Sequence, residues 1–357
     1  MKIAFLNIHS GQVDRGAETF VKEVASRLSQ KHQVSVFQTG DAKGNEKYKV
    51  EKVSLKIDRT KKDDVGTLKR RFFVDYWSIK VLVFTFKCLK DLIRGNYNIV
   101  IPVNGGWQVA IVRIITWFSG TKMVVSGQSG MGWDDLNNLW SFPNAFVALS
   151  SQALEWARKK APFTKSFYIP NGVDLKKFSG TESIKTSLKK PVVLCVAALT
   201  KTKRIDLVIK AISKLKDVSL LIVGDGDQKE NLTNLAEKFL KGRYEILQVS
   251  YVDIQKVYKS ADLFTLVSES YYAFEIVITE ALASGLGVVV NNDPIRKEIV
   301  EEAGLYVDNP NDSKRYAEKI KSALDVDWKE KSLTQVKKFS WDKIVKDYED
   351  LFNELIK

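Results

Sequence analysis

Short apolar runs alternate along the chain with longer stretches whose apolar residues recur at three- and four-residue spacing. The runs read as buried strands and the longer stretches as helices packed on them. In the first half the runs fall at 2–7, 33–39, 98–103, 122–126, 145–149 and 166–169. The spacing predicts helices over about 17–30, 109–118 and 151–160, the first with Phe20, Val21, Val24, Ala25 and Leu28 along its apolar side. The basic stretch 43–71 reads as irregular, and 72–93 as an amphipathic helix. A second series begins at 192–197, with runs at 220–223, 244–249, 263–267 and 286–290. Its helices are expected over about 205–215, where Ile205, Val208, Ile209 and Ile212 share one side, then up to Leu240, and near 254–259. The tail from about Asp312 reads as helical. Strands alternating with helices predict α/β domains with doubly wound parallel sheets. The polar stretch 176–190 reads as a linker, which separates a domain over 1–175 from one over 176–339.

One stretch, 261–290 (ADLFTLVSESYYAFEIVITEALASGLGVVV), holds strand, loop, helix and strand in succession. Its loop, 268–274, is polar and aromatic and follows a strand's carboxyl end. Ile276 opens the helix, and Gly285 stops it by taking the left-handed C-terminal position at no steric cost. Ligands of open α/β sheets sit at the carboxyl ends of the strands, where a helix start offers unpaired N–H groups and a positive dipole. This arrangement suits a phosphate-bearing ligand near Ile276, with Glu280 one turn further in.

Composition narrows the chemistry. A length of 357 residues fits two domains. Cys88 and Cys195 are far apart, which fits a reducing compartment rather than a disulfide framework. The only histidines, His9 and His32, leave little for a histidine-based metal site or triad. The N-terminus reads as a first strand and not as a signal peptide. Asp75, Lys80, Lys87, Lys90 and Asp91 interrupt the most apolar window, so it does not read as a membrane span. Gly11 and Gly16 do not make a dinucleotide fingerprint, and there is no P-loop. The net charge of +13 is uneven: residues 1–175 carry 26 basic and 15 acidic residues, while 176–357 carry 30 and 28. The excess lies in 43–94, with 15 basic and 7 acidic residues. Such a region suits anionic lipid or an acidic acceptor, and a solvated lysine-rich surface accounts for the same charge. No nucleic-acid motif accompanies it, so nucleic acid is not expected as a partner.

Several stretches, taken in order, resemble one family: GAETFVKEVASRL from Gly16, IPNGVD from Ile169, LLIVGDGD from Leu220, ADLFTLVS from Ala261, ITEALASG from Ile278 and FSWDKIVKDY from Phe339. Together they resemble the retaining glycosyltransferases of family 4, with the two-Rossmann "GT-B" fold. The resemblance implies two Rossmann-like domains facing a central cleft, with a C-terminal helix over 340–357 packing back on the first. It implies a nucleotide-sugar donor held by the second domain and a glycan or lipid-linked acceptor held by the first. It implies a cytoplasmic enzyme, with no cofactor and no metal; the region 43–94 would suit docking on the inner face of the plasma membrane. Asp225 and Asp227 make a D-x-D that follows a strand directly, where a structural turn is expected.

Residue by residue, Glu280 matches the family's ribose-binding glutamate, Ile276 and Val277 the diphosphate-binding helix start, and Lys203 the diphosphate-binding lysine. Gly16 matches the second glycine of the N-terminal pair, and Arg15 stands at the first. The family's sugar-facing glutamate falls at Tyr272, the following glycine at Glu275, the diphosphate arginine at Ala198, and the glycine after the lysine at Arg204. Glu269 or Glu275 is expected to supply the displaced carboxylate, Glu275 in a catalytic role, and Arg204 or Arg15 the guanidinium. Gln128 stands near the position of the family's sugar-contacting histidine, with Asn171 of the PNGVD turn as a second acceptor or sugar contact. Asp134 is the acceptor-side carboxylate assigned to orient the acceptor hydroxyl, and a helix-capping role competes for the pair Asp134–Asp135. The departures at Tyr272 and Ala198 leave a second expectation open, a catalytically impaired protein of the same fold that binds nucleotide-sugar or a partner enzyme.

Overall fold

A computed structural model describes all residues except 14, 43, 45, 59–68, 70 and 270–273. The chain forms two compact units, Met1–Asn171 with Trp341–Lys357, and Gly172–Ser340. The chain changes unit at 171/172 and 340/341, close to the expected 175/176 and 339/340. Val173 explains the shift: it bridges Ser340, and its N–H donates to Phe339 O at 2.8 Å, which ties both crossings to the second unit. The stretch read as a linker also opens with a short helix, Leu175–Phe178, capped by Asp174.

The first unit holds strands β1 (Lys2–Leu6), β2 (Gln33–Gln38), β3 (Lys49–Lys52), β4 (Ile99–Pro102), β5 (Lys122–Ser126), β6 (Ala145–Ala148) and β7 (Ser166–Tyr168). They form one sheet in the order β3-β2-β1-β4-β5-β6-β7, all pairs parallel. Parallel strands covered on both faces read as continuous apolar runs because successive side chains enter opposite cores. In β1, Ile3 and Phe5 enter the core shared with helices Gly16–Leu28 and Trp341–Ile356, while Ala4 and Leu6 enter the core under helices Tyr76–Gly95 and Trp107–Ser119.

The C-terminal helix belongs to this unit, as the resemblance implied. Trp341, Ile344, Val345, Tyr348, Leu351 and Phe352 are buried at helical spacing. Tyr348 packs on Phe20 at a centroid distance of 5.7 Å and lies 3.2 Å from Ser126 Oγ through its hydroxyl.

The second unit holds β8 (Val192–Val196), β9 (Ser219–Val223), β10 (Tyr244–Leu247), β11 (Leu263–Leu266), β12 (Val288–Asn291) and β13 (Gly304–Val307). Their order is β10-β9-β8-β11-β12-β13, again all parallel. Strand order reverses between β1 and β4 in one sheet and between β8 and β11 in the other, and such switch points open a crevice at the carboxyl ends.

Two strands had no counterpart in the sequence pattern, β3 and β13, and both are edge strands. β3 is the four polar and half-buried residues KVEK inside the stretch read as irregular. Helix Pro294–Val300 was also not anticipated, whereas helix Trp133–Trp140 has Asp134 and Asp135 in its first turn, as the capping reading expected.

The terminal helix completes a core that the rest of the unit leaves open. Trp341→Ala removes a side chain only 1% exposed and is expected to cost about 3–5 kcal/mol. Urea unfolding should show this as a lower midpoint for the first unit.

Candidate functional site

The switch point of the second unit is closed by a cluster of charges. After β8 the chain turns through the 3-10 segment Lys201–Lys203, and Arg204 opens helix Ile205–Ile212 in a left-handed conformation, φ 51°. That conformation favours glycine, the residue the resemblance puts there. After β11 come Ser268 and Glu269, and Glu275 stands at the N-cap of helix Ile276–Ala283. After β12, Asp293 caps helix Pro294–Val300 by accepting from Arg296 N, and proline opens that helix where no N–H is needed.

Four side chains from these strand ends meet. Lys203 Nζ donates to Glu275 Oε1 at 2.7 Å, and Ser268 Oγ donates to the same oxygen at 2.8 Å. Arg296 Nη2 donates to Glu275 Oε2 at 2.7 Å and to Ser268 Oγ at 2.6 Å. Arg296 Nη1 donates to Asp293 Oδ2 at 3.2 Å. The Glu275 and Arg296 side chains are 5% and 1% exposed, that of Lys203 17%. Burial alone would push the Glu275 carboxyl up. The charges of Arg296 and Lys203, with the hydrogen bonds from Lys203 and Ser268, outweigh it and hold the group at about 2. A carboxylate this firmly ionised is a weak base. Glu275, expected as catalytic, is therefore held as an anion by its cationic neighbours.

The other expected residues of this unit divide. Glu280 lies one turn inside the helix, buried, and accepts from Tyr258 OH at 2.7 Å, which orients its carboxylate. Ile276 and Val277 form the helix start beside Lys203. Glu269 is tied through its N–H to Thr202 O at 3.0 Å, which joins the β8 and β11 loops. Arg204 engages Asn311 Oδ1 at 2.6 Å, so its guanidinium is not part of the Glu275 cluster. Tyr272 lies outside the described residues. Asp225 and Asp227 sit in the turn after β9, where a Cβ on Gly226 would fall 2.4 Å from Leu199 O. That turn is a backbone-packing device against the end of β8.

In the first unit Arg15 is the N-cap of helix Gly16–Leu28, with Gly16 at its first position; both are exposed. Gln128 and Asn171 do meet, but they use their amides on one another: Asn171 Nδ2 donates to Gln128 Oε1 at 2.9 Å, and Gln128 Nε2 to Asn171 Oδ1 at 3.2 Å. Asn171 is 2% exposed, and in this arrangement its amide is engaged by Gln128.

Asp134 is exposed, whereas its neighbour Asp135 is buried. Asp135 accepts from Asn138 Nδ2 at 3.1 Å and from backbone N–H groups of Ser129 and Gly130, closing the glycine-rich loop after β5. Burial raises its carboxyl to about 7, and the charge of Asp134 adds to the rise.

Sequence reasoning missed Arg296 and the burial of Asp135, which it named only within the pair Asp134–Asp135. The signal for Arg296 was the capped start Asp293–Pro294 directly after a strand, which puts its third residue back over the sheet's carboxyl end. For Asp135 it was the spacing of Asp135, Asn138 and Leu139 along one helix side.

A sequence model of "Glycosyltransferase Family 4" matches residues 15–177, and one of "Glycosyl transferases group 1" matches residues 180–338. The chain belongs to this glycosyltransferase family. The O-antigen biosynthesis glycosyltransferase WclY of Escherichia coli is 25% identical to it across 100% of this chain and 99% of that one. The same fold occurs in the sucrose-phosphate synthase of Thermosynechococcus elongatus, with a TM-score of 0.80, 17% identity, and coverage of 99% and 98% of the two chains. It occurs again in Anabaena HepE in complex with UDP-glucose, with a TM-score of 0.76, 17% identity, and coverage of 99% and 100%. The two sheets are thus the two Rossmann-like units of a GT-B glycosyltransferase, an enzyme that uses a nucleotide-sugar donor.

Asp135 gives this glycosyltransferase a measurable pH signature. Its folded-state pKa lies above its unfolded one, so its contribution to stability is full below about pH 4 and lost as pH rises through about 7. Asp135→Asn should therefore flatten the decline in stability over that window, read as urea midpoints from pH 4 to 8. An unchanged slope would show that another group is responsible.

Proposed function

We propose that this glycosyltransferase holds a nucleoside diphosphate-sugar in its second unit. In this reading it passes the hexosyl group, with retention of configuration and without a metal ion, to a cell-envelope glycan or lipid-linked acceptor bound by its first unit. The observation that carries the reading is the position of Lys203, whose ammonium lies at the first turn of helix Ile276–Ala283 across the β8/β11 switch point. When the sugar leaves, negative charge grows on the departing diphosphate. In this reading the N–H groups of Ile276 and Val277 and the Lys203 ammonium stabilise it. The oriented Glu280 carboxylate is suited to accept ribose hydroxyls. Asp134, the exposed carboxylate of its pair, is assigned to the acceptor hydroxyl.

The names of relatives support the class of acceptor: WclY acts in O-antigen biosynthesis, and a partial match, TuaC of Bacillus subtilis, is described as a putative teichuronic acid biosynthesis glycosyltransferase. HepE binds UDP-glucose, which supports a nucleoside diphosphate hexose as donor.

Thermal shift against UDP, GDP, ADP and their hexose conjugates tests the donor. One nucleotide is expected to raise the melting temperature in step with the logarithm of its concentration. Lys203→Ala is expected to weaken that ligand by about tenfold or more, the order of one charged hydrogen bond. A flat response to every nucleotide would sink the reading. Product stereochemistry, read from the anomeric proton coupling before mutarotation, tests retention.

The surface of the first unit supports an acceptor presented at an anionic membrane. Helix Tyr76–Gly95 exposes Ile79, Val83, Phe86 and Ile93, and helix Trp107–Ser119 exposes Ile114, Trp117 and Phe118. Their other sides are buried in the core, so these helices are apolar around more of their circumference than the fold requires. Lys80, Lys87, Lys90, Arg94 and Arg113 on the same two helices give the charge that anionic headgroups attract. Co-sedimentation with vesicles containing phosphatidylglycerol is expected, and Trp117→Ser with Phe118→Ser should release the protein to the supernatant. Equal pelleting with neutral and anionic vesicles would remove the electrostatic part of this docking.

A further inference from the structure

Glu275 poses an electrostatic problem that the rest of the site has to solve. It stands at the N-cap of helix Ile276–Ala283, the end of a helix that attracts anions. A carboxylate there is stabilised by the helix dipole, but it also repels any second anion that approaches the same end. The resemblance puts a glycine at this position, which would bring no charge. The glutamate is 6% exposed, so water does little to screen it.

Arg296 answers that charge from the opposite side. It comes from helix Pro294–Val300 after β12, and its Nη2 reaches both Glu275 Oε2 and Ser268 Oγ. Arg296 is itself 1% exposed, so it faces Glu275 and not solvent. Its Nε is buried and has no hydrogen-bond partner among the described residues. The guanidinium is thus held by its ion pairs and not by a fully satisfied hydrogen-bond set, as expected where charge is the requirement. Asp293, which balances the guanidinium's second edge, is occupied as the cap of its own helix.

We propose that Arg296 is a positioning residue of the donor site: it cancels the charge of Glu275, so that the helix start at Ile276 and the Lys203 ammonium still present a net positive field to a diphosphate. The proposal rests on the donor reading above. Arg296 does not touch the donor; it acts through Glu275. In this way a guanidinium from β12 takes over an electrostatic duty that the resemblance gives to the position of Ala198.

The test uses the full-length protein and three variants, with nucleotide affinity measured by titration calorimetry for the nucleoside diphosphate that stabilises the wild type and for the corresponding nucleoside. Arg296→Gln leaves Glu275 unbalanced. It is expected to weaken the diphosphate by about tenfold or more, with a smaller effect on the nucleoside and with part of the loss recovered at high salt. Glu275→Gln is expected to bind the diphosphate at least as tightly as wild type. The double variant, with both charges gone, is expected to return to within about threefold of wild type. A merely structural role would lower affinity for nucleoside and diphosphate alike and would not be rescued by the second substitution. Should Arg296→Gln fail to fold, the double variant decides: wild-type affinity supports the proposal, and a tenfold loss overturns it. An Arg296→Gln protein that folds and binds the diphosphate as wild type does also overturns it. A wild-type protein that binds no nucleotide overturns the donor reading instead, and this proposal with it.

Discussion

The second unit is held together at its functional end by one buried ion pair, Glu275 with Arg296. Three parallel strands finish near each other at β8, β11 and β12, and nothing in a parallel sheet fixes the loops beyond their last hydrogen bonds. The Glu275 carboxylate fixes them. It takes Lys203 from the β8 loop, Ser268 from the β11 loop and Arg296 from the helix after β12. A buried pair is weak evidence of stability as such, because desolvation offsets much of the attraction. Its value lies in geometry: each oxygen is directed at named donors, so the loops have few other arrangements. Removing one partner leaves a buried charge, which costs more than the pair contributes.

The same cluster sets the division of labour among the charged residues. Glu275 is anchored as an anion by Lys203 and Arg296. Lys203 is its most exposed member, at 17%, so it is the one placed to meet solvent or ligand. Arg204 follows Lys203 directly but is carried to Asn311 by its left-handed backbone. Adjacent cations thus serve different ends, and only the three-dimensional arrangement separates them.

Most of the architecture was legible in the sequence because parallel strands buried on both faces make unbroken apolar runs. β5 and helix Ser151–Lys160 match the pattern at both ends. Edge strands carry less of that signal. β3 is KVEK with no fully buried residue, and β13 follows its glycine for only three more residues. The helix start at Ile276 and the turn after β9 were legible from local chemistry, glycine positions above all. The partners of Glu275 were not. Arg296 stands 21 residues further on, on a helix whose sequence signals a cap but not what its third residue faces. Which of the adjacent Asp134 and Asp135 is buried was hidden for a related reason: helical phase decides it, and the phase was set by a helix start among glycines. The amide pair Gln128–Asn171 illustrates the limit again. Both residues have groups that suit sugar hydroxyls, and only their mutual hydrogen bonds show that those groups are already engaged.

The two switch points show how one topology supports two kinds of chemistry. In the second unit the strand ends carry ions, Lys203 and Arg296 paired with Glu275. In the first unit the ends of β1 and β4 carry amides. Asn104 Oδ1 accepts from Ile8 N at 2.9 Å, Asn7 Nδ2 donates to Glu18 Oε1 at 3.1 Å, and Gln108 Oε1 accepts from Asn104 N at 2.9 Å. Burial raises the Glu18 carboxyl above its usual range, a shift that the hydrogen bond from Asn7 reduces but does not cancel. Neutral amides and a reluctant carboxylate favour uncharged hydroxyl groups, which offer a donor and an acceptor together. An anion gains little there, since the amides' N–H groups are already directed inward. The contrast follows from what each crevice must desolvate: a diphosphate needs compensating charge, whereas a hydroxyl needs only paired hydrogen bonds. A fold that repeats the same crevice can therefore carry ions at one switch point and amides at the other by changing only the side chains at the strand ends.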